Sequence, residues 1–144
     1  MKIVNRKAFH NYHILETFEA GIVLSGREVK SVRAGRVDLS ESFARINKGE
    51  VYLKNGYIYP YQGQSQNYDP KADRKLLLHK KQIGYLKAKT STSALTLVPL
   101  SLYIKKNLIK IGIGLAGAKK KYDHKRAVKE RDEKRKIAQE LVEY

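Results

Sequence analysis

Short alternating apolar and polar segments, separated by glycines and turn residues, fill the first 118 of 144 residues. A strongly basic stretch without an apolar stripe follows them. Together these predict a mainly β protein: a small OB-like antiparallel barrel with short flanking helices and a basic C-terminal tail. The net charge of +16, from 30 Lys and Arg against 14 Asp and Glu, adds a polyanionic partner, because neutralising phosphates is the standard use of such a field. A hydrophobic share of 42% suffices for one small core in one domain.

Taken in order, Phe18, Ala20, Ile22 and Leu24 share one face of a strand, with Thr17, Glu19, Gly21 and Val23 on the other, and Gly26 ends it. A short helix fits residues 28–34, with Val29 and Val32 inward, Lys30 and Arg33 outward, and Gly35 as its stop. A strand through Phe43 and Ile46 turns at Asn47-Lys48-Gly49 into Val51-Tyr52-Leu53. The polar stretch 62–73 reads as a loop, and Ile83 and Leu86 support a second short helix over 80–87. In Leu95-Thr96-Leu97-Val98-Pro99-Leu100 the inward set changes near Pro99, as a bulge would make it. Ile109, Ile111, Ile113 and Leu115 then alternate with Lys110, Gly112 and Gly114. Five or six short strands and two helices make the barrel of residues 1–119.

The remaining residues, 120–144, form the tail. Residues 119–136 hold ten Lys and Arg against four Asp and Glu, and nothing hydrophobic stands between Val128 and Ile137, so a helix there has no face to bury. The pairs Glu130/Lys134 and Asp132/Lys136 are each worth about 0.2–0.5 kcal/mol, too little to hold an isolated helix. The tail is expected to be disordered when free and helical once a partner supports it.

The absence of cysteine excludes disulfide scaffolds, zinc ribbons and thiol catalysis. The opening residues have no apolar stretch resembling a signal peptide. The longest apolar run, eight residues at 111–118, falls far short of the roughly twenty that span a bilayer. A cytoplasmic protein without a membrane partner is expected.

Candidate catalytic sets are weak. His10 and His13 are three apart and would share a metal on a helix, but no third ligand is near in sequence. Asp69 and Asp73 suggest paired nuclease carboxylates, yet Asp69-Pro70 is more simply the start of a turn. Gly112-Ile113-Gly114-Leu115-Ala116-Gly117 matches GxGxxG but lies within a strand. No catalytic residue, metal or cofactor is assigned. Binding features are better placed: Lys30, Arg33, Arg74, Lys75 and Lys110 are phosphate contacts by charge and predicted exposure. Tyr57, Tyr59 and Tyr61 either stack on bases or cover an edge that Pro60 marks, the second being more economical. The bare face of Lys110, Gly112 and Gly114 admits either RNA or a packed helix.

Residues 19–31 read Glu-Ala-Gly-Ile-Val-Leu-Ser-Gly-Arg-Glu-Val-Lys-Ser, continuing Val-Arg-Ala-Gly. This block closely resembles the signature segment of the small protein B (SsrA-binding protein) family, partners of tmRNA. Asn5-Arg6-Lys7-Ala8, Asp69-Pro70, Arg74-Lys75-Leu76-Leu77-Leu78-His79, Leu97-Val98-Pro99-Leu100, Tyr103-Ile104-Lys105 and Lys119-Lys120-Lys121-Tyr122-Asp123 agree in order. The resemblance covers nearly the whole chain. It implies an OB-like barrel that binds the tRNA-like domain of tmRNA, one protein per tmRNA, and delivers it to ribosomes stalled in translation. By matching position, Asn5, Glu19 and Leu77 belong to the tmRNA-contacting surface, with Arg6, Lys7, Lys119 and Lys120 beside them. Glu19 accepts hydrogen bonds from a base edge or orders neighbouring cations; a carboxylate is no phosphate ligand. The resemblance places the tail in the decoding centre and the empty mRNA channel, against small-subunit ribosomal RNA. Tyr122 takes the base-stacking position, and Asp123, His124, Lys125, Arg126, Lys129, Arg131, Lys134 and Arg135 line the path. Two positions depart from the family: Ala118 replaces a glycine, stiffening the joint, and Asp123-His124-Lys125 stands for Asp-Lys-Arg. The rival readings are a generic single-strand-binding OB protein and a metal-dependent nuclease.

Overall fold

The computed structural model describes residues 2–63 and 66–119. The tail positions Lys120, Tyr122, Asp123, His124, Lys125, Arg126, Lys129, Arg131, Lys134 and Arg135 therefore lie outside the described residues. In chain order the elements are β1 (Lys2–Val4), α1 (Arg6–Asn11), β2 (Tyr12–Ile22), α2 (Gly26–Arg33), β3 (Val37–Asp38) and β4 (Phe43–Asn47). Then come β5 (Glu50–Lys54), β6 (Tyr57–Ile58), β7 (Arg74–Leu77), α3 (Lys80–Thr92), β8 (Leu95–Lys105) and β9 (Leu108–Ala118).

The main sheet runs β1-β8-β4-β5-β7-β2-β9, and a further β8–β9 pairing closes it on itself. The ring contains all of these strands except β1, which is added outside on β8, so the mainly β, OB-like barrel is the observed fold. Closure removes most free strand edges. The short pair β3–β6 stands apart from the ring.

The alternation of β9 is as the sequence predicts, with Ile109, Ile111, Ile113 and Leu115 all buried. They meet Val51, Leu53, Leu76, Leu97 and Leu102 from the other strands, together with Val32 of α2 and Leu86 of α3. The predicted bulge in β8 falls between Pro99 and Ser101. It moves the strand's inward set, so that Leu97 and Leu102 both enter the barrel core. Val98 and Leu100 join Ala8 and Ala116 in a second cluster. The β4–β5 hairpin turns at Lys48-Gly49, both with positive φ (51° and 75°), the two-residue turn that matches strand twist.

Several boundaries differ from expectation, each for a local reason. β2 starts at Tyr12, ahead of the predicted Thr17, because a bulge between Ile14 and Glu16 interrupts the alternation. α2 starts at Gly26, because Ser25 caps it: the Ser25 hydroxyl accepts from the Glu28 N–H (3.2 Å) and Glu28 accepts from the Ser25 N–H (3.1 Å). Gly26 therefore opens a helix rather than merely ending a strand. α3 continues past 87 to Thr92. Its last turn is supported by Thr90, Ser91 and Thr92 hydroxyls that donate to carbonyls four residues back (2.8, 2.7 and 2.7 Å). β1 and α1 escaped the periodicity reading because they are short and bury little beyond Ala8.

Candidate nucleic-acid interface

The barrel wall formed by β7, β2, β9, β8 and β1 has an outward face whose rows follow from the register. One row runs Leu77, Gly21, Lys110, Tyr103, Lys2; the next runs Glu19, Gly112, Ser101, Val4. Leu77 is 53% exposed, and Val4 is exposed too. Beside these rows lies an open groove of about 530 Å³, walled by Glu19, Lys75, Leu77, Lys110 and, from the start of α3, Lys80 and Gln82. The fold thus brings Glu19, Lys75, Leu77 and Lys110, drawn from three strands, to one groove.

Glu19 accepts hydrogen bonds from the Tyr103 hydroxyl and, at 3.3 Å, from Lys105 Nζ. The bond from Tyr103 does most to hold Glu19 below the usual carboxylate range, with Lys105 and Lys110 adding to it. Burial, and then the bond to Glu19, push Tyr103 up to about 12. At neutral pH the pair is therefore a carboxylate with a protonated phenol, and the carboxylate keeps lone pairs for a base edge or a ribose hydroxyl. Lys75 is paired with Glu50 at 3.0 Å. The groove offers two fixed carboxylate acceptors, Glu19 and Glu50, lysines for phosphates and an apolar side chain for a base or sugar face.

The structure corrects the expectations for Asn5 and Arg74. Asn5 is only 5% exposed. Its amide donates to the Leu39 and Pro99 carbonyls (3.1 and 2.9 Å), and its side-chain oxygen caps α1 by accepting from the Ala8 N–H (3.4 Å). All its hydrogen-bonding groups are engaged, so it holds α1 against the barrel rather than offering a surface contact. Arg74 is 3% exposed. Its guanidinium donates to Glu28 from Nε and Nη2 (3.1 and 2.6 Å) and to the Gly56 carbonyl (2.6 Å). Strand alternation turned Arg74 inward and Lys75 outward.

Arg6 and Lys7 are exposed on α1, Lys7 pairing with Glu41. Lys30 and Arg33 are exposed on α2, and Lys119 is half-buried just after β9. The three-tyrosine strand shrinks to Tyr57–Ile58. Tyr57 and Tyr59 pack edge-on at 4.7 Å, Arg36 lies over Tyr59 and Lys30 over Tyr61. The bare face of β9 divides. At Gly114 a Cβ would lie 3.1 Å from Leu100 and 3.2 Å from Ile14, so the glycine gives these two side chains room to pack, whereas Gly112 is half-exposed beside Ser101 and Tyr103. His10 lies in α1 and His13 in β2, so they do not share a helix. Asp69 accepts from the Lys71 N–H at 2.9 Å, as the start of a turn would, and Asp73 pairs with Lys54. Among the described residues no group of His, Asp and Glu is placed to hold a metal ion.

Tyr103 and Lys105, which position Glu19, stand in a block that resembles the family, but the sequence reading gives them no role; their outward parity follows from the bulge at Pro99.

A family model described as SmpB protein matches residues 2–143. This chain belongs to the SmpB family. SmpB relatives named SsrA-binding protein include that of Carboxydothermus hydrogenoformans, 55% identical over 138 residues, covering 95% of this chain and 93% of the relative. That of Bacillus cytotoxicus is 52% identical over 135 residues, covering 93% and 87%. Among solved structures, a chain described under "tmRNA-SmpB: a journey to the center of the bacterial ribosome" matches with a TM-score of 0.69 and 52% identity. The match covers 82% of this chain and 84% of that one. Among the described residues no helix is long and apolar enough to cross a membrane.

Proposed function

We propose that this protein binds the tRNA-like domain of tmRNA and delivers it to stalled ribosomes for trans-translation, acting in the cytoplasm as a binding protein and not as an enzyme. The observation that carries the reading is the convergence of Glu19, Lys75, Leu77 and Lys110 on one groove in a chain of this family. A plain phosphate-binding surface needs only the lysines. A carboxylate fixed by Tyr103 and Lys105 at its centre suits a shaped RNA that presents hydrogen-bond donors. Residues 1–119 supply this contact. Residues 120–144, with Tyr122 and the Lys and Arg that follow, enter the decoding centre and the mRNA channel, where phosphates stand in for solvent around their charges.

The test is titration of the full chain against tmRNA, an ordinary tRNA and an unstructured RNA at two salt concentrations. A preference for tmRNA that survives higher salt is expected. Equal affinities that collapse together with salt would leave only phosphate binding. Deleting residues 123–144 is expected to spare tmRNA affinity and abolish peptide tagging on stalled ribosomes; loss of RNA binding would overturn this division of labour.

A further inference from the structure

On the other side of the Lys48-Gly49 turn from the Glu19 groove lies a second open groove of about 340 Å³. One wall is β4 with the start of β8, and the other is the C-terminal half of α3. Its charged lining is Arg45, Lys48 and Lys87, with no carboxylate. The two basic regions differ in how their cations are neutralised. In the first, two carboxylates, Glu19 and Glu50, share the lining with Lys75, Lys80 and Lys110, and Glu50 is tied to Lys75. In the second, none of the three cations takes part in an ion pair among the described residues. Arg45 lies over the Phe43 ring at 5.5 Å, which orients the guanidinium without neutralising it. The hydroxyls of Thr90 and Ser91 in the wall already donate to the helix carbonyls, so the side-chain donors in the lining are the three cations and the Thr96 hydroxyl.

Three unopposed cations around an open groove repel one another, and an anion relieves that repulsion. α3 connects the two grooves: Lys80 and Gln82 line the first, Lys87 the second. Gly49 borders both. Seven residues of helix separate Lys80 from Lys87, a distance of about 10 Å at 1.5 Å per residue. A strand of RNA held in the first groove therefore reaches the second by following α3 past the β4–β5 turn.

We propose that the groove of Arg45, Lys48 and Lys87 is a second backbone-contact site for the same RNA that occupies the Glu19 groove. It reads no sequence, and its role is to extend the phosphate track and fix the RNA's direction across the barrel. The inference rests on the RNA-binding reading above.

The experiment measures binding of the full chain to the tRNA-like domain of tmRNA over a series of salt concentrations. Each lost phosphate contact lowers the slope of log affinity against log salt by about 0.7–0.9. Combined Arg45→Ala, Lys48→Ala and Lys87→Ala is expected to lower it by about 2–2.7. Lys48→Ala with Lys87→Ala, which keeps the Arg45–Phe43 contact, is expected to lower it by about 1.4–1.8 and provides the measurement if the triple variant folds poorly. Lys75→Ala with Lys110→Ala serves as the comparison in the first groove. An unchanged slope in the second-groove variants, alongside a reduced slope in the first-groove variant, overturns this site and leaves the function standing. Unchanged slopes in both overturn the RNA-binding reading on which it depends.

Discussion

Two sets of side chains, Glu28, Tyr68 and Arg74 in one and Glu19, Tyr103 and Lys105 in the other, combine the same three kinds of group: carboxylate, phenol and cation. In the first, Glu28 and Arg74 are buried, and Tyr68 donates to both Glu28 (3.1 Å) and the Ile58 carbonyl (2.9 Å). Burial pushes Glu28 up, but the Ser25 N–H, Arg74 and Tyr68 outweigh it and hold the carboxyl below its usual range. In the second, Glu19 and Lys105 are exposed and only Tyr103 is half-buried. The chemistry alone therefore says nothing about role. The buried set ties α2, the segment before β7 and the β5–β6 connection into one body. The exposed set leaves its carboxylate open to a partner.

The sharpest way to break this comparison is Arg74→Ala. It strands the Glu28 carboxylate in the interior and is expected to cost about 3–5 kcal/mol in denaturant unfolding. A loss below about 1 kcal/mol would mean the buried set is not structural.

Stability against pH tests the buried set next. Glu28 has a folded pKa below its ordinary 4.5, so its contribution is present above pH 4.5 and is lost as pH falls through the folded value. Glu28→Gln is expected to flatten that acid limb. Tyr68 is pushed up from 10.0 to about 12, first by burial and then by the Glu28 charge. Its contribution is present below pH 10 and lost as pH rises towards 12, and Tyr68→Phe is expected to reduce that alkaline loss in unfolding midpoints taken on either side of pH 10.

Glu19→Ala acts on binding instead. It makes the protein more basic, yet tmRNA affinity is expected to fall about tenfold, the worth of a hydrogen bond to a charged group, while stability stays within about 0.5 kcal/mol. Unchanged or tighter binding would remove Glu19 from the site. Tyr103→Phe, which frees the Glu19 carboxylate without removing it, is expected to weaken binding by about threefold, less than a charged-group bond is worth. An effect larger than that of Glu19→Ala would make Tyr103 itself the RNA contact.

Much of the barrel is legible locally. The β9 alternation, the two-residue turn at Lys48-Gly49 and the bulge at Pro99 each announce themselves within a few residues. The Ser25-Gly26-Arg27-Glu28 box is equally local, though reading Gly26 as a strand end places the helix start two residues late. Asn5 is expected at the surface by its match to the family and Arg74 by its charge, yet both are buried. Each is buried by partners far along the chain, Pro99 at a separation of 94 residues and Glu28 at 46.

By itself the sequence determined the charge, the mainly β architecture and, through its motifs, the resemblance to the family, because composition, strand periodicity and short motifs are properties of neighbours along the chain. Which cation faces an open groove and which locks the fold was decided only by tertiary structure. Arg74 and Lys75 are adjacent, and the pleat sends one to each side. Closure of the ring then places a buried carboxylate against the first and an open groove against the second.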